Sequence, residues 1–143
     1  MTFPHPSDDI HHCFVCGTDN PYGLQIRFTL ADGLCRGQFT PASHHGGYDN
    51  ITHGGIVFSV LDDAMANWLF LQGARAFTAK AEIRYREPLP VGVQVDIEAQ
   101  LKARKRRLVL LTSSARRCDN GNVVAEAEAS FMLDDPAQTL VWA

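Results

Sequence analysis

The sequence predicts an α+β fold in which an antiparallel β-sheet wraps around one long central α-helix. Three observations predict it. One stretch, from about Gly54 to Gln72, carries the apolar spacing of a helix. Two strand-like segments precede it and four follow it. The links between those segments are too short to hold crossover helices, so the strands must pair antiparallel. The length, 143 residues, suits a single domain with one core. That domain is read as spanning residues 1–143, with 1–12 as an irregular arm rich in Pro, His and Asp.

After the arm, Thr18-Asp19-Asn20-Pro21 is a turn by composition. LQIRFTL (24–30) and LCRGQFT (34–40) then read as two strands joined by Ala31-Asp32-Gly33. PASHHGGYDNIT (41–52) is a loop. Stepping about 100° per residue along the helix puts Ile56, Val57, Val60, Leu61, Ala64, Trp68 and Leu71 on one broad face. Ser59, Asp62 and Ala66 lie opposite, and Phe58, Leu69 and Phe70 widen the apolar coverage. Such a helix expects burial on two sides: against its own sheet, and against a partner subunit. Gly73 is the expected stop. FTAKAEIRY (77–85) alternates Phe77, Ala79, Ala81, Ile83 and Tyr85 against Thr78, Lys80, Glu82 and Arg84. VGVQVDIEAQL (91–101) and VVAEAEASFML (123–133) also alternate, and RLVLLTSSAR (107–116) is more continuously apolar. Pro88 and Pro90 separate the first two of these strands, and Asp119-Asn120-Gly121-Asn122 turns between the last two.

Composition narrows the function classes. An apolar fraction of 45% and a charged fraction of 20% are ordinary for a globular protein. No apolar run approaches the ~20 residues of a membrane span. The opening MTFPHPSDDI lacks the basic start and apolar stretch of a secretory signal. The expected location is the cytoplasm, with Cys13, Cys16, Cys35 and Cys118 reduced. A net charge of −3 argues against nucleic-acid binding by the whole surface. KARKRR (102–107) nevertheless concentrates five basic side chains in six positions.

The segment THGGIVFSVLDDAMA (52–66) carries the chemistry. A helix N-terminus offers unpaired N–H groups and a partial positive charge. Gly54 and Gly55 let a substrate carbonyl come close to it. The Gly54 N–H is placed to polarise a carbonyl and stabilise a developing oxyanion. Asp62, about two turns along, is expected to face the same cleft, as a general base on water or as a nucleophile. Asp63 is the competing carboxylate.

This segment resembles the signature of hotdog-fold thioesterases of the phenylacetate-degradation type. In those, a His-Gly-Gly opens the central helix and an acidic residue follows nine positions after the His. Here these are His53 and Asp62. CFVCGTDNPYGLQIRF (13–28) and AEIRYREPLPVG (81–92) extend the resemblance over about Cys13 to Leu133. It implies a hotdog fold and hydrolysis of an acyl-CoA thioester to free acid and CoA, in a cleft between two subunits, without metal or organic cofactor. It also implies that His53 orients or polarises, that Thr78 helps hold the water, and that Gly55 and Asp63 border the substrate. Some relatives place an Asn six residues before the His; here Gly47 stands there, and Asn50 is the nearest substitute. A homo-oligomer, a dimer or a dimer of dimers, is implied as well.

Two further features have plain alternatives. Cys13-Val-Phe-Cys16 supplies half of a metal site, with no second paired motif to complete it. It is read as a reduced pair tucked into a turn, and no metal is expected. The 102–107 run is either a solvated strand end or a site for the phosphates of CoA, with Arg104 and Arg106 as the leading contacts. Two other functions fit the same fold: a non-catalytic acyl-CoA-binding domain, and a hydratase or dehydratase. The first would be expected to lack Asp62. The second pairs a catalytic His with an acidic residue in a motif absent here.

Overall fold

The structure is a computed structural model, and it describes residues 10–142. Most of the predicted arm, with His5, lies outside those residues. The described elements are β1 (Thr29–Ala31), β2 (Leu34–Phe39), α1 (Gly54–Phe70), β3 (Ala76–Tyr85), β4 (Val95–Lys105), β5 (Leu108–Arg117) and β6 (Val123–Leu133). A short 3-10 turn, Ser43–His45, lies in the loop before the helix. The strands form one six-stranded antiparallel sheet in the order β1-β2-β4-β5-β6-β3. Among the described residues, no helix is long and apolar enough to cross a membrane.

The sheet curls around α1 because each strand sends one set of small or branched side chains to the helix. Val95, Ile97 and Ala99 of β4 are buried, as are Val109, Leu111 and Ala115 of β5 and Ala125, Ala127, Ala129 and Phe131 of β6. Alanines on β6 leave room for the helix to sit close. From α1, Val57, Val60, Leu61, Ala64, Met65, Trp68 and Leu69 fill the other side. Two polar ties fix the helix on the sheet. The Ser113 hydroxyl donates to the Leu61 carbonyl at 3.1 Å, and the Trp68 indole N–H donates to the Gly33 carbonyl at 2.9 Å. Leu71, predicted to be on the buried face, is 43% exposed. It caps the helix one residue past Phe70, where the chain is already leaving the core.

Three predicted elements differ from the structure for local reasons. Residues 24–28 are not a strand: Gln25 has φ +53°, and Leu24 and Ile26 donate to the carbonyls of Phe14 and Val15. The Cys13–Gly17 turn has captured this segment. The strand predicted at 91–101 is displaced to 95–105, so that part of the basic run lies in the strand and its turn. In β3, the register slips between Thr78 and Lys80, which is a bulge at Ala79. The bulge reverses the predicted phase at the start of the strand. Thr78 shares the helix-facing side with Ala81, Ile83 and Tyr85, and Phe77 is left 62% exposed.

Candidate active site

The start of α1 is built from His53. Its backbone leaves the helical region, and its Nδ1 accepts a hydrogen bond from the Gly55 N–H at 2.9 Å. A side chain capping a helix in this way satisfies one of the orphan N–H groups of the first turn. The Ile56 and Val57 N–H groups both donate to the His53 carbonyl. Among the described residues the Gly54 N–H is thus the donor of this turn left without an acceptor. In a neutral imidazole, an accepting Nδ1 leaves the proton on Nε2.

Tyr85 completes this end. Its hydroxyl donates to the Gly54 carbonyl at 2.7 Å, and a Cβ at position 54 would lie 3.3 Å from that hydroxyl oxygen. Gly54 is therefore set by a close approach from β3. Tyr85 was missed as a site residue in the sequence. The available signal was its position seven residues after Thr78 on the strand that flanks the helix. A cavity of about 280 Å³ opens here, lined by Gly54, Val57, Tyr85, Leu89 and Val124 among others.

Asp62 and Thr78 are brought together. The Thr78 hydroxyl donates to Asp62 Oδ1 at 2.8 Å, and Asp62 Oδ2 has no hydrogen-bond partner among the described residues. Burial raises the Asp62 carboxyl above its ordinary range, the Thr78 hydroxyl opposes that shift, and the nearby Cys13 adds to it. At 1.5 Å rise per residue, Gly54 and Asp62 are about 12 Å apart along one helix.

Asp63 turns elsewhere. Its Oδ1 lies 3.5 Å from Cys13 Sγ, and its Oδ2 accepts from the Asn67 amide at 3.0 Å. The same amide reaches the Asp63 carbonyl at 2.9 Å and Cys16 Sγ at 3.7 Å. Burial first, then the charge of Cys13, pushes the Asp63 carboxyl up to about 7. Asn67, only 5% exposed, is the second site residue that sequence reasoning missed. Its signal is a polar side chain four residues after Asp63 on an otherwise apolar helix, the spacing of a paired contact.

The remaining candidates are dispersed. Gly47 packs against His53, where a Cβ would lie 3.3 Å from His53 Cα. Asn50 has φ +65°, and its carbonyl accepts from the Val91 N–H at 2.9 Å. Its side chain has no hydrogen bond among the described residues. Arg104 donates to the carbonyls of Arg106 at 2.8 Å and Gln138 at 2.6 Å. Lys102 pairs with Glu128 at 2.7 Å, and Arg107 donates to the Asp134 carbonyl at 3.0 Å. Arg106, at the tip of the β4–β5 turn, keeps its guanidinium uncommitted among the described residues. The register Thr78–Phe131–Val109–Arg104 puts Arg104 three strands from Thr78, about 14 Å at ordinary strand spacing.

The thioesterase superfamily model matches residues 49–123, just over half of the chain and all of the segment from His53 through Tyr85. The chain belongs to the thioesterase superfamily. Among curated relatives, it is 26% identical to acyl-coenzyme A thioesterase THEM4 of Mus musculus over 102 residues. That match covers 71% of this chain and 44% of the mouse protein, so the chain spans under half the length of that relative. Among solved structures, protein RHA08564, a thioesterase superfamily protein, superposes with a TM-score of 0.79 at 25% identity, covering 85% of this chain and 63% of that one. The E. coli PaaI protein from the phenylacetic acid degradation operon superposes with a TM-score of 0.70 at 21% identity, covering 76% of this chain and 83% of that one. The latter is a likeness of fold. The six-stranded antiparallel sheet around one helix is the hotdog fold, shared with both of these structures.

Proposed function

We propose that this superfamily member hydrolyses an acyl-CoA thioester to free acid and CoA, with Asp62 as the base on water or as the nucleophile. The observation that carries this reading is the Asp62 carboxylate: half-buried, held through one oxygen by Thr78, with the other oxygen uncommitted among the described residues. The unpartnered Gly54 N–H supplies what the other side of the reaction needs. As an attacking oxygen adds to the thioester carbon, the carbonyl oxygen becomes an anion. A backbone N–H at a helix N-terminus stabilises it. His53 orients that end of the helix through its cap on Gly55, and Gly55 leaves the approach open. The mouse relative's name supports acyl-CoA as the substrate class.

One chain does not assemble this site alone. Attack requires both groups within about 3 Å of one carbonyl. Along a single helix, Gly54 and Asp62 are about 12 Å apart. A homodimer, alone or as half of a dimer of dimers, resolves this, with the helix start from one copy facing Asp62 of the other. The sheet supports the same reading. β3 is an edge strand that leaves Phe77, a large apolar side chain, 62% exposed. Asn50 is placed in this reading on the rim of the cleft, and Asp63 beside it through its hydrogen-bond network. Arg104 and Arg106 are placed at the nucleotide end of CoA, with Arg106 as the free cation.

The test is thiol release from a panel of acyl-CoA esters by Asp62→Asn and Asp63→Asn. Asp62→Asn should lose two or more orders of magnitude in kcat while keeping its fold, the scale of a lost base or nucleophile. Asp63→Asn should have the milder effect on kcat. The opposite ranking would move the base to Asp63. An inactive parent protein across the panel would favour the acyl-CoA-binding reading.

A further inference from the structure

The Cys13-Val-Phe-Cys16 pair is not absorbed by the hydrolytic site, and the fold does something with it that the sequence does not announce. The turn is wound tightly. Gly17 donates to the Cys13 carbonyl at 2.9 Å, and a Cβ at position 17 would lie 2.4 Å from Cys13 N and 2.6 Å from Cys13 O. Only glycine fits there. The winding aims the Cys16 N–H at Cys13 Sγ, 3.5 Å away. Both sulfurs thereby face α1, where Asp63 waits. One ligating atom from each of Cys13, Cys16 and Asp63 falls within 4.8 Å of the others.

From these distances we infer that Cys13, Cys16 and Asp63 form a zinc site that pins the N-terminal segment onto the central helix. The numbers fit the metal. With Zn–S about 2.3 Å and Zn–O about 2.0 Å at tetrahedral angles, sulfur and carboxylate oxygen should be ~3.5 Å apart. The observed Cys13 Sγ to Asp63 Oδ1 distance is 3.5 Å. The carboxylate offers Oδ1 to the metal while Asn67 holds Oδ2 at 3.0 Å, and the same amide lies 3.7 Å from Cys16 Sγ. An amide that orients two ligands at once is the outer support that metal sites use. A cavity of about 270 Å³ reaches the cluster, lined by Ile10, Cys16, Asp63, Asn67, Phe70 and Phe77 among others. It leaves the fourth tetrahedral position to water.

Two thiolates and a carboxylate around Zn²⁺ leave a net charge of −1, and whichever of the three groups still carries a proton gives it to solvent on binding. The sequence alone shows two donors, which is why no metal was expected from it. The fold contributes the third by laying the turn across α1.

The test uses the full chain, untagged and kept reduced. Elemental analysis should find one zinc per chain. After chelator treatment, added Co²⁺ should give thiolate-to-cobalt absorption in the near ultraviolet with the visible bands of a tetrahedral ion, and Zn²⁺ should abolish both. Cys13→Ser and Cys16→Ser should each weaken the thiolate band, Cys118→Ser should leave it unchanged, and Asn67→Ala should weaken cobalt affinity by roughly 10–100-fold. Wild-type protein that carries only traces of zinc and gives no cobalt spectrum when reduced would overturn the site. So would a purified chain two hydrogens lighter than its sequence, a Cys13–Cys16 disulfide, that takes up no cobalt after reduction. None of these readouts depends on thioester hydrolysis.

Discussion

Replacing Thr78 with Val tests the geometry of the candidate base most directly. The substitution keeps the side-chain shape and suits a strand, so β3 and its bulge should persist. What it removes is the hydroxyl that donates to Asp62 Oδ1 at 2.8 Å. A hydrogen bond to a charged group contributes about 1.5–3 kcal/mol. At about 1.4 kcal/mol per factor of ten, that bounds the effect at roughly 10- to 150-fold. Thr78 is exposed in the single chain, where water competes for the carboxylate, which favours the lower end, ~10–30-fold. Thr78 acts through Asp62, so the loss should fall on kcat with KM for acyl-CoA nearly unchanged. Thr78→Ser restores the hydroxyl and should recover most of the rate. Thr78→Val should stay folded and melt only a few degrees below the other two, since the same hydrogen bond also contributes to folding. Steady-state thiol release and a thermal melt on the same samples measure all of this. Wild-type kcat in Thr78→Val, or a Thr78→Ser variant as slow as Thr78→Val, would refute the positioning role.

Further outcomes follow from the same structure. Light scattering at micromolar concentration should give at least a dimer, and an active monomer would contradict a site shared between two copies. Arg106→Ala should raise KM for acyl-CoA with kcat unchanged, and the parent enzyme's affinity should fall with salt, since exposed charges are screened beyond about 8 Å at physiological ionic strength. Activity on a pantetheine thioester should be indifferent to both. Arg104→Ala should instead lower the melting temperature, because that guanidinium holds the carbonyls of Arg106 and Gln138. A variant pair that matches wild type in KM would move the phosphate site away from this turn.

The elements that sequence reasoning placed well are those whose periodicity is decided by burial. The helix from Gly54 and the strands β5 and β6 each commit a face to the core, and their apolar runs mark where they lie. The misplaced ones answer to forces that no periodicity encodes. Residues 24–28 look like a strand, but their backbone partners lie in the Cys13–Gly17 turn, and Gln25 adopts a left-handed conformation to reach them. The bulge at Ala79 leaves the composition of β3 unchanged and still decides that Thr78, rather than Phe77, faces the helix. At the site, the motif named His53, Gly54 and Asp62, and the structure brings Asp62 to Thr78 and His53 to Gly55. Tyr85 and Asn67 carried signals but were passed over, because their remote partners, the Gly54 carbonyl and the Cys16 thiol, are set only by the fold.

The two adjacent aspartates, one residue apart on the helix, meet different hydrogen-bond partners. Successive residues on a helix point about 100° apart, so the Asp62 and Asp63 carboxylates reach different hydrogen-bond partners. Asp62 points to β3, where a single hydroxyl engages one of its oxygens. Asp63 points to the N-terminal turn, where Cys13 and Asn67 engage both of its oxygens. A base or nucleophile needs an oxygen with a lone pair free to meet water or the thioester carbon. Under the proposal above, Asp62 Oδ2 meets that need without giving up a contact, whereas each Asp63 oxygen already has one. A metal ligand needs a lone pair as well, on an oxygen held in place by its neighbours before the ion arrives. Burial raises both carboxyls, so burial alone does not rank them. The ranking comes from the hydrogen bonds. It follows that substituting Asp62 should silence the reaction and leave the turn on the helix, whereas substituting Asp63 should loosen the turn and leave much of the reaction intact.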